Sequence, residues 1–271
     1  MSRSSAGPLR LSVLAALLAV VTSLAGVLDP RTYARETPAW AVQAIGQDLA
    51  NLAVAVLLIA CVIRMRGGSG NAVLVWLGGL LYLIYAFAIY AFDLHFNRWF
   101  LAYVAVLGLS LYAFIWGLAA RDPATPASAL RNHPQRRGAA SLLVAIGVLF
   151  ALLWLSDIVP HLSAAAPPPS LVETGLLTNP VHVLDLAFVL PAMIVTGVLL
   201  WRGQPAGLLF AVPLLVFAVT MGVGILALFG LSVRRGIPVA AAPAVIVAVI
   251  VVASAFFVWR LTRTTVHRQR T

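Results

Sequence analysis

Residues 206–231 read AGLLFAVPLLVFAVTMGVGILALFGL, a stretch without a single charged side chain. An α-helix of this length is roughly 39 Å long, which is enough to cross the ~30 Å hydrocarbon core of a bilayer. Lipid offers backbone groups no hydrogen-bonding partner, so each crossing segment must satisfy its own backbone as a helix or join a closed barrel. The stretch therefore predicts a transmembrane helix.

Similar apolar blocks recur along the whole chain, separated by short polar segments. They cover residues 11–28, 45–63, 72–94, 99–120, 139–156, 181–201, 206–231 and 238–259. None of them alternates polar and apolar residues as a β-barrel strand does. The sequence predicts an all-α fold, a polytopic transmembrane helix bundle of about eight spans that forms one membrane domain over residues 1–271.

The composition agrees with a membrane protein and disfavours a soluble one. Hydrophobic residues make up 62% of the chain and charged residues 10%, and the mean hydropathy is +1.01. The net charge of +10 lies in the segments between the apolar blocks, so we predict a role in topology and no nucleic-acid partner. All 18 basic residues are Arg, which with the abundant Ala and Pro indicates a high-GC bacterial genome and hence the bacterial inner membrane.

The arginines predict the orientation, because short cytoplasmic segments retain positive charge during insertion. With the N-terminus inside, 13 arginines are cytoplasmic and five are not, namely Arg31, Arg35, Arg98, Arg234 and Arg235. Both termini are then cytoplasmic, and the basic cytoplasmic segments would contact anionic lipids of the bilayer. Arg234 and Arg235 break the pattern, either as contacts for an anion or lipid head group or because earlier helices already fix the orientation.

Three segments between or around the blocks carry separate predictions. Residues 121–138 form a cytoplasmic linker between two four-helix halves, and residues 157–180 form an extracytoplasmic loop. The sequence Ser23-Leu24-Ala25, with small residues at its first and third positions, also fits a signal-peptide cleavage site, which would leave seven spans. Ala240, Ala244 and Ala248 form a small-residue strip suited to close packing, within the protein or in a homo-oligomer or membrane complex.

Seven of the eight acidic residues fall on the extracytoplasmic side in this topology. Helical rise puts Asp48 and Asp185 roughly 25 Å from the cytoplasmic arginine that ends each span, just inside the outer interface. Asp93 and Asp157 reach a similar height. We therefore predict one outward-facing polar layer made of Asp48, Asn51, Tyr85, Asp93, His95, Asn97, Asp157, His161, His182 and Asp185.

Carboxylates and imidazoles together supply metal ligands or acid–base groups, so this layer is a candidate pocket for an ion, a proton or a polar head group. His182 and Asp185 are three residues apart on one helix face and are the candidate metal ligands. Pro191, two turns further in, predicts a kink. The alternative is that these residues only cap helices and complement their dipoles.

No catalytic motif, Walker motif or paired-cysteine pattern occurs, and the single Cys61 is expected to be a buried packing residue. The leading hypothesis is a carrier or sensor that binds a small ligand, ion or lipid head group in the outward-facing pocket. The first alternative is a membrane-embedded, zinc-dependent hydrolase or lipid-modifying enzyme. The second is a structural subunit of a membrane complex.

Overall fold

The structure is a computed structural model that describes residues 3–120, 131–164, 166–237 and 239–267. Over these ranges the chain is helical and contains no strand. The helices are α1 (Arg3–Leu28), α2 (Pro38–Arg66), α3 (Ala72–Asp93), α4 (Phe100–Ala119), α5 (Arg136–Ile158), the short α6 (Pro169–Thr174), α7 (Pro180–Trp201), α8 (Pro205–Arg234) and α9 (Ala241–His267).

All of these helices except α6 are long and apolar enough to cross a bilayer, which makes eight candidate spans among the described residues. The chain is thus a multi-pass helical bundle, as the sequence predicts. Large apolar side chains remain exposed on its outer faces, for example Leu152 on α5 and Val252 on α9. Such side chains are suited to contact lipid rather than water.

Consecutive spans run in opposite directions, so the bundle has two different ends. The long-loop end carries segments 29–37, 94–99, 159–179 and 235–240. We call the opposite end the terminal end. It carries segments 67–71 and 202–204, the first turn of α1, the first turn of α5 and the last turn of α9. Of the predicted linker at 121–138, residues 121–130 lie outside the described residues.

Helix α2 begins seven residues earlier than the apolar block at 45–63 predicts. Thr37 is its N-cap, and the Thr37 hydroxyl accepts a 3.3 Å hydrogen bond from the Trp40 amide while Pro38 occupies the first helical position. Both features are typical of helix starts, since the cap satisfies a free amide and Pro has none to satisfy. Polar residues within the first three turns are therefore inside the helix.

Helix α7 contains a π-helical segment at Asp185–Val189, within the region for which Pro191 predicts a kink. The Leu190 amide bonds to the Asp185 carbonyl, five residues earlier instead of four. Pro191 has no amide hydrogen, so it cannot form the regular backbone hydrogen bond of an α-helix. The π-turn lies directly before this interruption of the hydrogen-bond pattern. Asp185 is the first residue of this irregular turn, a kind of feature that is frequent at functional sites.

Helix α8 is the central element of the bundle. Helices α1 to α4 pack against one another, and α8 packs against α2 and α3 of this group. Its remaining surface contacts α7 and α9, while α5 packs mainly against α7. The result is a tightly packed group around buried Trp76, Tyr82 and Phe87, and a second group of helices that joins it through α8.

Candidate functional site

A cavity of about 380 Å³ lies where α8 joins the two groups of helices, and we call it the Asp185 cavity. Its polar lining consists of Gln43, Gln47, Tyr85, Trp154 and Asp185. The rest of the wall is almost wholly apolar and includes Ile146, Phe150, Leu153, Val189, Met193, Phe217, Met221, Ile225, Leu228, Val247 and Ile250. Such a space suits a lipophilic molecule with one polar end.

Asp185 is the only carboxylate in this wall and is 9% exposed. The Trp154 Nε1–H group donates a 2.8 Å hydrogen bond to Asp185 Oδ2. Asp185 Oδ1 accepts no hydrogen bond from the described residues, and none of their basic groups lies within 4 Å of the carboxylate. One oxygen is therefore held in place and the other is left for a partner.

Tyr85 brings a second polar group to the same cavity from α3. Its side chain is 4% exposed, and its hydroxyl is buried without a hydrogen-bond partner in the part of the chain that the structure describes. The ring packs edge-on against Phe217, with centroids 5.3 Å apart, and the hydroxyl faces the Asp185 carboxylate from just outside hydrogen-bond distance. A buried hydroxyl without a partner costs free energy, which a bound polar group would recover.

His182 lies one turn before Asp185, but it does not line the cavity. Its ring is 8% exposed and stacks against the Trp154 ring with centroids 4.7 Å apart. The described residues contain no group of three or more His, Cys, Asp or Glu side chains that could hold a metal ion. Among the described residues, His182 and Asp185 thus form a pair of candidate ligands and not a group of three.

Helices α5 and α9 enclose the side of the cavity that faces away from α2 and α3. They approach closely near the terminal end, where a Cβ atom on Gly138 would lie 2.9 Å from the Phe257 ring. Further along, both helices contribute apolar side chains to the wall, such as Phe150 and Val247. The outer faces of both helices are apolar and exposed, so this side of the cavity is suited to contact with lipid.

A second polar group, the Asp48 cluster, lies inside the α1–α4 bundle and consists of Ser23, Gly26, Tyr33, Asp48, Asn51 and Tyr90. The Asp48 side chain is 0% exposed. The Tyr33 hydroxyl donates to Asp48 Oδ2 at 2.7 Å, and the Tyr90 hydroxyl lies 3.0 Å from Asp48 Oδ1. The carboxylate is thus held by neutral donors from the loop after α1 and from α3.

Small and polar residues make room for this carboxylate. Asp48 Oδ2 occupies the position that a Cβ atom on Gly26 would take, so only glycine fits there without a shift. Asn51 Nδ2 donates to Ser23 Oγ at 3.1 Å, whereas Asn51 Oδ1 is buried with no donor among the described residues. The cluster therefore contains a free acceptor beside the carboxylate.

Segment 29–37 closes the long-loop end of the Asp48 cluster and is bonded to segment 94–99. Asp29 pairs with Arg98, and Glu36 accepts hydrogen bonds from the His95 amide at 2.9 Å and contacts His95 Nδ1 at 3.0 Å. The Arg31 amide, together with Arg98, lowers the pKa of Asp29 below its usual value. Burial raises the pKa of Tyr33 well above its usual range, and the Asp48 charge adds to this rise.

The other residues of the predicted layer lie apart from both sites. Asn97 donates to the Thr32 carbonyl, at 3.4 Å, and accepts from the Trp99 amide. Asp157 accepts from Ser170 at 2.9 Å, and His161 bonds to the Asp157 carbonyl. Asp93 has a buried carboxylate oxygen without a partner among the described residues, and Arg234 and Arg235 are exposed and line neither site.

The structure thus divides the predicted layer into two sites and a set of loop contacts. Asp48 and Asn51 belong to one site, and Tyr85 and Asp185 belong to the other. Asp48 lies roughly 15 Å along α2 from its first residue, because this helix starts at Pro38. Asp185 lies roughly 8 Å from the start of α7.

Sequence reasoning missed several residues of both sites. Tyr33, Ser23 and Gly26 are absent from the predicted layer, as are Trp154 and the two glutamines of the cavity. Tyr90 is also absent from that layer, although it bonds to Asp48 and is 2% exposed. Gln43, Gln47 and Asn51 at intervals of four along one helix would have indicated a polar face of α2.

Comparisons with known proteins identify no relative. No protein family matches the chain, and no curated protein and no solved structure is significantly similar to it. The chemistry of the two sites is therefore the basis for assigning a function.

Proposed function

We propose that this protein binds a lipophilic molecule with a cationic, hydrogen-bond-donating head group in the Asp185 cavity, as a carrier or sensor in the bacterial inner membrane. The observation that carries the proposal is that Asp185 and the Tyr85 hydroxyl face each other in the wall of an otherwise apolar cavity, where neither Asp185 Oδ1 nor the hydroxyl forms a hydrogen bond with the described residues. A protonated primary amine on an alkyl chain is the simplest ligand of this class.

The sign of the site supports a cation over an anion. Among the residues that the structure describes, the cavity is lined by one carboxylate and by no Arg, Lys or His. An anionic head group would meet a like charge in a region of low dielectric, where repulsion is strong. A protonated amine would instead form a charge-assisted hydrogen bond to Asp185 Oδ1 and a second one to the Tyr85 hydroxyl oxygen.

The position of the cavity supports entry of the ligand from the bilayer. Its lining includes α5 and α9, whose outer faces are apolar and exposed. We further propose that the long-loop end faces away from the cytoplasm, since this orientation keeps 13 of the 18 arginines inside. Asp185 then lies near the outer leaflet, and a ligand would place its head group there with its chain along α8.

The test is competition among three probes of equal chain length: dodecylamine, dodecanol and dodecanoic acid. Detergent-solubilised protein is incubated with all three, and the bound species are counted by native mass spectrometry. We expect the amine to bind best and the acid worst. In Asp185→Asn, which keeps the shape of the side chain, the amine should lose about ten-fold in affinity, the equivalent of one charge-assisted hydrogen bond.

The matched control is Asp157→Asn. Asp157 lies on α5 one turn beyond Trp154, and its carboxylate bonds to Ser170 without lining the cavity. We expect this variant to bind the amine as the wild type does. Equal binding of the three probes to the wild type, or equal loss in both variants, would contradict the proposal.

A further inference from the structure

We propose that Asp48 is a buried proton-binding site, separate from the Asp185 cavity, that exchanges a proton with water at the long-loop end. Asp48 is wholly buried, and no basic group of the described residues lies within 4 Å of its carboxylate. A carboxylate in such surroundings needs a proton, a cation or a set of donors to be stable. The geometry of the cluster provides for the proton.

Tyr90 is arranged to bond with Asp48 in either charge state. Its single hydroxyl proton faces two acceptors at nearly equal distances, Asp48 Oδ1 at 3.0 Å and the Ala44 carbonyl at 2.9 Å. When Asp48 is ionised, the hydroxyl donates to the carboxylate. When Asp48 carries a proton, that proton is donated to Tyr90 Oη, and Tyr90 donates to the Ala44 carbonyl. Both states leave the Tyr90 hydroxyl and Asp48 Oδ1 bonded to each other.

The cluster also contains an acceptor without a donor. Asn51 Oδ1 is fully buried and accepts no hydrogen bond from the described residues, although Asn51 lies beside Asp48. The Asn51 amide group donates one hydrogen to Ser23 Oγ, and Ser23 and Asn51 both lie within hydrogen-bonding reach of the Asp48 carboxylate. A proton on Asp48 adds a donor to this cluster, whereas an ionised carboxylate adds only acceptors.

The surroundings of Asp48 favour a proton over a metal cation. The ionisable groups that face it are Tyr33 from segment 29–37, Tyr82 and Tyr90 from α3, and Tyr103 from α4. Helix α1 contributes only Ser23 and Gly26 to the contact. Tyr33 presents its hydroxyl proton to Asp48 Oδ2, and this proton would repel a dehydrated cation at that oxygen.

The direction of exchange follows from Tyr33. This residue belongs to segment 29–37 at the long-loop end, and its hydroxyl reaches Asp48 Oδ2 from that end. In the proposed step a hydronium ion gives its proton to the Asp48 carboxylate, an O–H bond forms on Asp48, and a water molecule is released. No other reactant takes part.

Infrared spectroscopy of the protein reconstituted in lipid tests the site directly. We expect a C=O stretching band of a protonated carboxyl group that grows reversibly as the pH falls and shifts in D₂O. Asp48→Asn should remove this component, and Asp185→Asn should leave it in place. Absence of a titrating component, or its loss in Asp185→Asn but not in Asp48→Asn, would overturn the proposal.

Two further measurements keep the proposal testable if Asp48→Asn does not fold. Tyr90→Phe removes one hydrogen-bond partner of the carboxyl group, so the band should remain and move in frequency. An unmoved band in a folded Tyr90→Phe variant would overturn the assignment. A band that disappears at constant pH when NaCl replaces choline chloride would mean that Asp48 binds a cation, and would also overturn it.

Discussion

The indole of Trp154 on α5 donates a 2.8 Å hydrogen bond to the Asp185 carboxylate on α7, where the π-helical turn begins. This bond joins two helices of the second group and fixes one of the two carboxylate oxygens at the cavity wall. The same indole stacks against His182 one turn earlier. Trp154 thereby determines which oxygen of Asp185 remains free.

Trp154→Phe should reduce both stability and ligand binding. The substitution keeps an aromatic ring but removes the donor, and a hydrogen bond to a carboxylate contributes about 1.5–3 kcal/mol. We expect a lower thermal unfolding midpoint in detergent and weaker binding of dodecylamine, because Asp185 is no longer held in one orientation. Trp201→Phe is the control, since Trp201 is 50% exposed and does not line the cavity. Equal effects of the two substitutions would contradict the role given to Trp154.

Tyr33→Phe tests the hydrogen bond between Tyr33 and Asp48, through the dependence of thermal stability on pH above about 10. The pKa of Tyr33 is raised in the folded protein, so the folded state keeps its proton at pH values where the unfolded chain loses it. Stability from this group is complete below about pH 10 and falls as the pH rises above that value. We expect the thermal midpoint of Tyr33→Phe to fall less steeply above pH 10 than that of the wild type.

The control for this experiment is Tyr112→Phe. Tyr112 is 65% exposed on α4, and its hydroxyl lies away from the Asp48 cluster. Its removal should leave the alkaline slope unchanged. At neutral pH, Tyr33→Phe should also be less stable than Tyr112→Phe by about 1–3 kcal/mol, because only Tyr33 donates to a buried carboxylate.

Hydrophobicity alone was enough to predict the number of spans, because a helix that crosses lipid needs a run of ~20 apolar residues whatever its partners are. It was not enough to predict which polar side chains meet. Asp48 and Asp185 were assigned one height from helical rise, yet Asp48 points into the α1–α4 bundle and Asp185 lines the cavity beside α8. Rotation of a helix about its axis depends on its packing partners, which one sequence does not reveal.

Sequence patterns also could not predict the contacts that loop residues make with the helices. Tyr33 lies 15 residues before Asp48, and its hydroxyl reaches the carboxylate only because segment 29–37 folds back over the bundle. By contrast, the Asn179-Pro180 helix start was predictable from local chemistry, since the Asn179 side chain accepts from the Val181 and His182 amides. Local capping could be predicted, and the convergence of distant segments could not.

Cysteine labelling tests the proposed orientation. Cys61, the single native cysteine, is 4% exposed and is first replaced by Ala to remove the background. We then expect Arg235→Cys, at the long-loop end, to react with a membrane-impermeant maleimide in intact cells. Gly68→Cys, at the terminal end, should react only after the cells are opened. The reverse pattern would place the Asp185 cavity towards the cytoplasmic leaflet.

Gly26→Ala should damage the Asp48 cluster through a single methyl group. That methyl would collide with Asp48 Oδ2 and would lie 2.7 Å from the Tyr33 hydroxyl, so the carboxylate or α1 has to move. Overpacking of this kind costs about 1–3 kcal/mol.

Gly108→Ala on α4 is the matched control, since a Cβ atom there meets nothing within 4 Å. Its effect should be neutral or stabilising by up to about 1 kcal/mol, because Ala favours a helix over Gly. Thermal unfolding of both variants in the same detergent measures the difference, and equal midpoints would show that the approach of Asp48 to α1 is not as close as described.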